Sequence, residues 1–337
     1  MTILLVTNSY DVAADYVTAV LDKLGTAYFR LDTDRFPQYV QASFDPARGS
    51  TLRSGTSSIL EREITAVWYR RHSTPDLPNG IERGEADFCR RESRALLIGM
   101  LQALPTRRWM SHPIALAAAE AKPYQLSVAR RLGFRLPPTL VTNDPARVER
   151  FAARRSLVVK AVSSGYIASE DGNRAVFTSR LRKKDLKDLS ALSLAPVIFQ
   201  ELVNKRADIR VTVVGGKVFA AEIFSQQRKS SRTDWRATDD PNLGHARHEL
   251  PARLSDKCVA LVRALGLTFG AINLAITHDG MYTFFEINPN GEWAWIEDHL
   301  GYPISRANSG LVEGWETKLT AWSLRNYRRD HGRRLAG

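Results

Sequence analysis

The apolar positions along the first hundred residues fall into short runs with different periods. Residues 3–6 are apolar throughout, the pattern of a strand covered on both faces. Residues 13–24 repeat their apolar positions at helical spacing and meet Gly25, a helix stop. Residues 27–31 predict a second strand, followed by a loop over 32–37. A strand–helix–strand opening is the usual start of a parallel α/β sheet. Residues 38–65 alternate around Gly49 and Gly55 and predict a small antiparallel excursion. Residues 66–70 predict a further strand, and 83–104 a long helix broken at Pro105.

A second pattern starts near Ser111. Residues 114–132 predict one helix with Lys122 inside it, closed by Gly133, then an extended segment over 134–143 and a helix over 145–154. Residues 157–162 predict a strand that carries Lys160 into the small turn Ser163-Ser164-Gly165-Tyr166. Residues 197–203 predict the next strand, and 209–214 with 217–224 a hairpin on Gly215-Gly216. The polar stretch 225–250 exceeds an ordinary connection and predicts a functional loop. Residues 255–265 predict a helix, and 271–276 with 281–287 a hairpin across His278-Asp279-Gly280. The expected domains are 1–110, 111–196 and 197–325, with a basic tail over 326–337.

Composition narrows the class. A chain of 337 residues, 44% hydrophobic and 25% charged, has the balance of a globular protein with two or three domains. It contains no apolar run of spanning length, and its N-terminus lacks a signal peptide's basic region, so no membrane is expected. Cys89 and Cys258, far apart and without metal-ligand spacing, are expected as buried thiols in a reducing cytoplasm. The net charge of +12 favours an acidic or polyanionic partner. The basic residues are scattered and not interleaved with aromatics, so nucleic acid is not the expected partner.

The chemistry concentrates at strand ends. In Phe284-Phe285-Glu286-Ile287-Asn288-Pro289-Asn290-Gly291, alternation points Glu286 and Asn288 to one face. Two hard oxygen donors there suit a Mg²⁺ ion shared with nucleotide phosphates; a strand closed by a Pro-Asn-Gly turn reads equally well. Lys160 before a Ser-Ser-Gly turn suits phosphate, or is a solvated strand end. Gln200-Glu201 at a strand exit can face an adenine and ribose, or simply fray. Asp208-x-Arg210 offers a fork for phosphate oxygens, or a local ion pair.

The order of these segments resembles the ATP-grasp superfamily over residues 110–315. The runs at 29–37, 67–71, 208–215, 234–236 and 286–293 look like the graspetide synthetases, the ATP-grasp ribosomal peptide maturases of the microviridin type. That resemblance implies an α/β chain, α+β in its grasp part: an ATP-grasp fold behind an N-terminal pre-ATP-grasp α/β domain. It implies an enzyme that uses ATP and Mg²⁺ to activate Asp/Glu side chains of a precursor peptide and join them to Ser/Thr hydroxyls or Lys amines. Lys122, Lys160 and Asp208 would serve ATP, with Glu201, Leu202 and Val203 as adenine hinge. Glu286 and Asn288 would ligate Mg²⁺, with Asn273 where the superfamily usually has aspartate. Arg210 and Arg236 would be catalytic, and Arg70 and Arg71 would help gather an acidic core peptide that follows a leader. A homodimer is the assembly implied. Two alternatives remain: a RimK-like ligase adding amino acids to a carboxylate terminus, and a nucleotide-binding protein that binds peptide or RNA without catalysis.

Overall fold

The computed structural model describes residues 2–106, 108–163, 165–167, 174–238, 240 and 243–313, and the elements below are those of these residues. The expected basic tail, and part of the 163–166 turn, lie outside them. The chain divides into two compact units. One holds the segment up to Ile114, residues 266–269 and the chain from Glu292; the other holds Ala115–Leu265 and Gly270–Gly291.

The first unit is built on β1 (Thr2–Thr7), whose apolar run is buried throughout, and α1 (Val12–Leu24) follows it. Gly25 ends α1 in the left-handed region at φ 65°, where a side chain would be strained. Next come β2 (Tyr28–Asp32), the antiparallel β3 (Val40–Asp45), β4 (Gly49–Ser54) and β5 (Ser57–Leu60), then β6 (Ile64–Tyr69), α2 (Arg83–Ala103) and β7 (Trp109–Met110). The main sheet has order β2-β1-β6-β7, its pairs parallel, as the opening pattern predicts. Arg70, just past β6, is 2% exposed. Its Nε donates to Asp11 Oδ2 at 2.8 Å and its Nη2 to Glu292 Oε1 at 3.1 Å, and Arg71 Nη2 reaches the same oxygen at 2.9 Å. Arg70 is therefore a buried structural cation, not the peptide-gathering group expected from the sequence. Cys89 corrects another expectation: on α2 it is only half-buried, whereas Cys258 is buried.

Helix α3 (Pro113–Ala119), within which the second unit begins, and α4 (Lys122–Arg131) stand in place of the single helix expected over 114–132. Pro123 explains the break. Inside a continuous helix its ring would meet the Ala119 carbonyl and it could donate no hydrogen bond, but it fits a first turn. Lys122 consequently begins a helix instead of sitting within one. There follow β8 (Thr139–Thr142), α5 (Pro145–Ala152), capped by Asp144 through the Ala146 and Arg147 N–H groups, and β9 (Leu157–Ala161). Then come the two-residue strands β10 (Tyr166–Ile167), β11 (Arg174–Ala175) and β12 (Ser179–Arg180), and β13 (Val197–Glu201). One antiparallel sheet has order β12-β9-β13-β8.

The other sheet consists of β14 (Lys205–Val214), β15 (Lys217–Ile223), β16 (His245–His248), β17 (Phe269–Thr277) and β18 (Tyr282–Asn288), in the order β16-β15-β14-β17-β18. Helix α6 (Ala252–Ala264) packs on β14 and β15. The stretch 225–250 is thus not all loop: its end returns as β16 to cover the edge of β15. After Glu292 the chain forms α7 (Ala294–Leu300) and α8 (Ile304–Glu313), which pack on α1. The sequence places this part within the 197–325 domain, whereas its packing on α1 puts it in the first unit.

Candidate active site

Lys160 and Gln200 meet across paired strands of the second unit. Lys160 Nζ, on β9, donates to Gln200 Oε1, on β13, at 2.7 Å, and Gln200 Nε2 donates to Thr139 Oγ1 at 2.9 Å. The ammonium also lies 4.6 Å from the Phe285 ring centroid, a cation–π contact. Burial strips it of water and brings its pKa down to about 8, against the opposing pull of Glu286 and Asp234. The strand-end lysine is half-buried and partnered.

Glu286 enters on β18 beside a bulge. Asn273 pairs with Glu286 but Leu274 pairs with Phe284, so Phe285 is the extra residue. In a regular strand Phe285 and Glu286 would face opposite sides. Here both line one cavity, while Phe284 packs on Phe134 with centroids 5.3 Å apart. Glu286 Oε1 accepts from Asn273 Nδ2 at 3.1 Å and from Arg236 Nη1 at 3.3 Å, and its Oε2 lies 3.8 Å from Lys122 Nζ. Burial pushes this carboxyl up, but Arg236, Lys160 and Lys122 together hold it below the ordinary glutamate range.

Arg236 comes from the long loop, on a short turn over Trp235–Ala237. Its Nε and Nη2 grip Asp234 Oδ1 and Oδ2, both at 2.9 Å, in a bidentate fork. Asp234 also caps that turn through the Arg236 N–H and accepts from Thr178 N at 3.2 Å. Burial would raise the Asp234 carboxyl, yet the Arg236 guanidinium takes it down to about 2. Below them Lys205 Nζ donates to Asp208 Oδ1 at 2.8 Å and to Thr233 O at 3.3 Å, both side chains being buried. Burial raises the Asp208 carboxyl despite this lysine.

Lys160, Glu201, Leu202, Val203, Asp208, Arg236, Asn273 and Glu286 thus line a single cavity. In the expected hinge, Glu201 N donates to Pro138 O at 2.9 Å and Leu202 N to Ser156 O at 2.7 Å. Lys122 adjoins through Glu286, its Nζ also donating to Ala161 O and Ser163 O, each at 2.8 Å. Arg210 is outside the lining and 5% exposed; its Nη1 donates to Asn273 Oδ1 at 2.9 Å. Gly291 passes so close that a Cβ there would meet Arg210 Nη2 and lie 2.5 Å from Ala271 Cβ. Asn288 is exposed, and its Oδ1 accepts from Asn290 N at 3.0 Å, so it does cap the Pro-Asn-Gly turn.

Lys205, Phe285 and Gln200's grip on Lys160 are parts of the site that the sequence pattern did not single out. Phe285 reads as one more apolar strand residue until the bulge is seen. Lys205-x-x-Asp208 is a charge spacing too common to stand out.

Five cations (Lys122, Lys160, Lys205, Arg210 and Arg236) surround three carboxylates (Asp208, Asp234 and Glu286) in this region. A surplus of partly desolvated positive charge suits a polyphosphate. No group of three or more His, Cys, Asp or Glu side chains could hold a metal by itself among the described residues. The donor set is one carboxylate with nearby carboxamides, which fits a hard cation that takes its remaining oxygens from phosphate. Within that set Glu286 lines the cavity and could hold Mg²⁺ with Asn288, whose Oδ1, like that of Asn273, already accepts one hydrogen bond and keeps its second lone pair.

Comparison with known proteins agrees. The family of the MvdD pre-ATP-grasp domain matches residues 2–116. No curated protein gives a match. Among solved structures, the macrocyclase MdnC from Microcystis aeruginosa MRC, bound with precursor peptide MdnA, is 32% identical over 93% of this chain and 100% of that one, with a TM-score of 0.84. A RiPP-associated ATP-grasp ligase from Chryseobacterium gregarium, in complex with ADP and a leader and core peptide, is 29% identical over 92% and 96%, with a TM-score of 0.85. The ATP-grasp ligase PsnB, complexed with a phosphomimetic variant of its minimal precursor, Mg and ADP, is 25% identical over 93% and 97%, with a TM-score of 0.73. With an ATP-grasp fold behind a pre-ATP-grasp domain, and a cation-rich cavity at the strand ends, the chain belongs to the graspetide synthetases, a family of ATP-grasp ligases.

Proposed function

We propose that this ligase is an ATP- and Mg²⁺-dependent peptide macrocyclase. It converts Asp or Glu side chains of a ribosomal precursor peptide into acyl phosphates and joins them to Ser/Thr hydroxyls or Lys amines. The observation that carries this reading is the placement of Glu286 among Arg236, Lys160 and Lys122, a carboxylate held ionised inside a cavity with excess positive charge. The precursor peptides bound to MdnC and to the Chryseobacterium gregarium ligase support the substrate class.

A carboxylate is a poor acyl donor because its leaving group would be oxide. In the first step a carboxylate oxygen attacks the γ-phosphorus of ATP and ADP leaves. In the second a hydroxyl or amine attacks the acyl carbon, the C–O bond to phosphate breaks, and inorganic phosphate leaves with the net loss of one water per crosslink. When bound, Mg²⁺ would supply positive charge to offset the charge that develops on the transferring phosphoryl group. Glu286 and Asn288 would hold it. Lys160, oriented by Gln200, stabilises the phosphates, and Lys122 does so while tying the exit of β9. Glu201, Leu202 and Val203 form the adenine edge, and Asp208 positions Lys205 beneath the cavity. Arg236 stabilises the acyl phosphate and the oxyanion formed when it is attacked. Arg210 acts through Asn273, which it orients toward Glu286, so Asn273 serves here as a bridge between the two.

No helix among the described residues is long and apolar enough to cross a membrane. We place the reaction in the cytoplasm, in keeping with two free thiols, and family membership supports a homodimer. Incubation with a candidate precursor, ATP and Mg²⁺ tests the whole reading by mass spectrometry. Loss of one water mass per bond is expected. A gain of one residue mass would instead identify an amino-acid-adding ligase. ATP left unconsumed with every peptide, together with salt-sensitive RNA binding, would identify a non-catalytic binder.

A further inference from the structure

Gln125 lies on α4, one turn after Lys122, and is 2% exposed. Its carboxamide makes three hydrogen bonds. Nε2 donates to Ala119 O at 2.6 Å and to Ile287 O at 2.9 Å, and Oε1 accepts from Ile287 N at 3.1 Å. The last two form a two-point bond to one residue's backbone, as a neighbouring strand would. Ile287 is the residue between Glu286 and Asn288.

The sheet order explains why such a bond is needed. β18 is a terminal strand, so the backbone groups on its outer edge have no strand partner. Just before Ile287 the strand carries the Phe285 bulge, which loosens its register with β17. A bulged edge strand has freedom to shift, and the direction of Glu286 and Asn288 depends on its path. The nearest fixed support along the same edge is Phe284 N, which donates to Arg135 O at 2.8 Å. Gln125 also satisfies the Ala119 carbonyl released where Pro123 interrupts the helix.

Lys122, three residues earlier on the same helical face, holds the Ala161 and Ser163 carbonyls at the exit of the strand that carries Lys160. We infer that Gln125 is a positioning residue for the metal–nucleotide site: with Lys122 it makes the first turn of α4 the brace that sets the Glu286-x-Asn288 segment against the Lys160 strand. This rests on the proposed Mg²⁺–nucleotide site, but it assigns a role to a residue that touches neither metal nor nucleotide.

The test reads binding and not turnover. Mn²⁺ is titrated by EPR into the whole chain with saturating ADP, for the unaltered chain and for Gln125→Met, which keeps the length and apolar bulk but cannot donate and accepts only weakly. The Met variant is expected to bind Mn²⁺ at least about tenfold more weakly, with its circular dichroism unchanged. A folded Met variant that binds Mn²⁺ as tightly as the unaltered chain would overturn the inference. Absence of Mn²⁺ binding by the unaltered chain would instead overturn the metal site itself. Should Gln125→Met not fold, Gln125→Glu decides. Only its protonated carboxyl can both accept from Ile287 N and donate to Ile287 O. Its Mn²⁺ affinity relative to the unaltered chain should therefore recover as pH falls from 8 to about 6, and a flat ratio would refute the positioning role.

Discussion

Asn273 donates to Glu286 Oε1 at 3.1 Å, while its own oxygen accepts from the buried Arg210 guanidinium at 2.9 Å. One carboxamide thereby joins a cation below the site to the carboxylate within it, with both ends of the amide assigned by their partners. An aspartate here could not donate to Glu286. Asn273→Ala removes both bonds at once. A buried hydrogen bond to a charged group contributes roughly 1.5–3 kcal/mol, so this variant should lose stability on that order in urea unfolding. Asn273→Asp should keep the Arg210 contact, place two carboxylates side by side, and bind divalent cations more tightly by calorimetry.

Lys160 makes nucleotide binding depend on pH. Its folded pKa of about 8 lies below the ordinary 10.5, because burial disfavours the charged form. Phosphates next to the ammonium favour the charged form, so ADP binding near pH 8.5 should take up a proton. Calorimetry in two buffers of different ionisation enthalpy reads that uptake, and Lys160→Met should abolish it.

The same shift fixes a stability trend. Burial of the charged lysine opposes folding, in full below pH 8 and less as pH rises from 8 to 10.5, where the unfolded chain binds more protons than the folded one. Lys160→Met should thus be more stable than the unaltered chain at pH 7, with the gap closing toward pH 10.5. Thermal unfolding across that range checks it.

Asp234 runs the other way. With its folded value about 2 against the ordinary 3.8, it stabilises the fold above pH 3.8, and that contribution fades as pH falls through 2. At about 1.4 kcal/mol per pKa unit, Asp234→Asn should cost on the order of 2 kcal/mol at pH 7 and almost nothing near pH 2. It also frees the Arg236 fork, so turnover should fall by more than the stability loss explains. Acid-unfolding curves and steady-state assays of the folded variant separate the two effects.

Gly291 has no space for a side chain, since a Cβ would press on Ala271 and Arg210. Gly291→Ala should cost about 1–3 kcal/mol through overpacking and displace Arg210 from Asn273. A lowered melting temperature with weakened divalent-cation binding is expected, and unchanged values would place this turn differently.

The local pattern carried much of the fold. The buried run of β1, the left-handed Gly25 stop and the Gly215-Gly216 hairpin all follow from residues adjacent in sequence. The helix expected over 114–132 failed because its apolar spacing continues across Pro123, and only the ring's clash with the preceding turn divides it. Glu286 and Asn288 were legible as a same-face pair with two readings. The structure shows the turn cap at Asn288 and gathers cations around Glu286.

The periodic elements, and the side chains able to bind phosphate or metal, are legible from the sequence because both are properties of short stretches of chain. How those side chains are charged and held follows from the folded molecule. Lys160 is desolvated by strands distant in sequence, Phe285 is turned into the cavity by a bulge, and Gln125 braces the strand 162 residues away. Desolvation, register and edge support depend on long-range packing, and no local spacing encodes them.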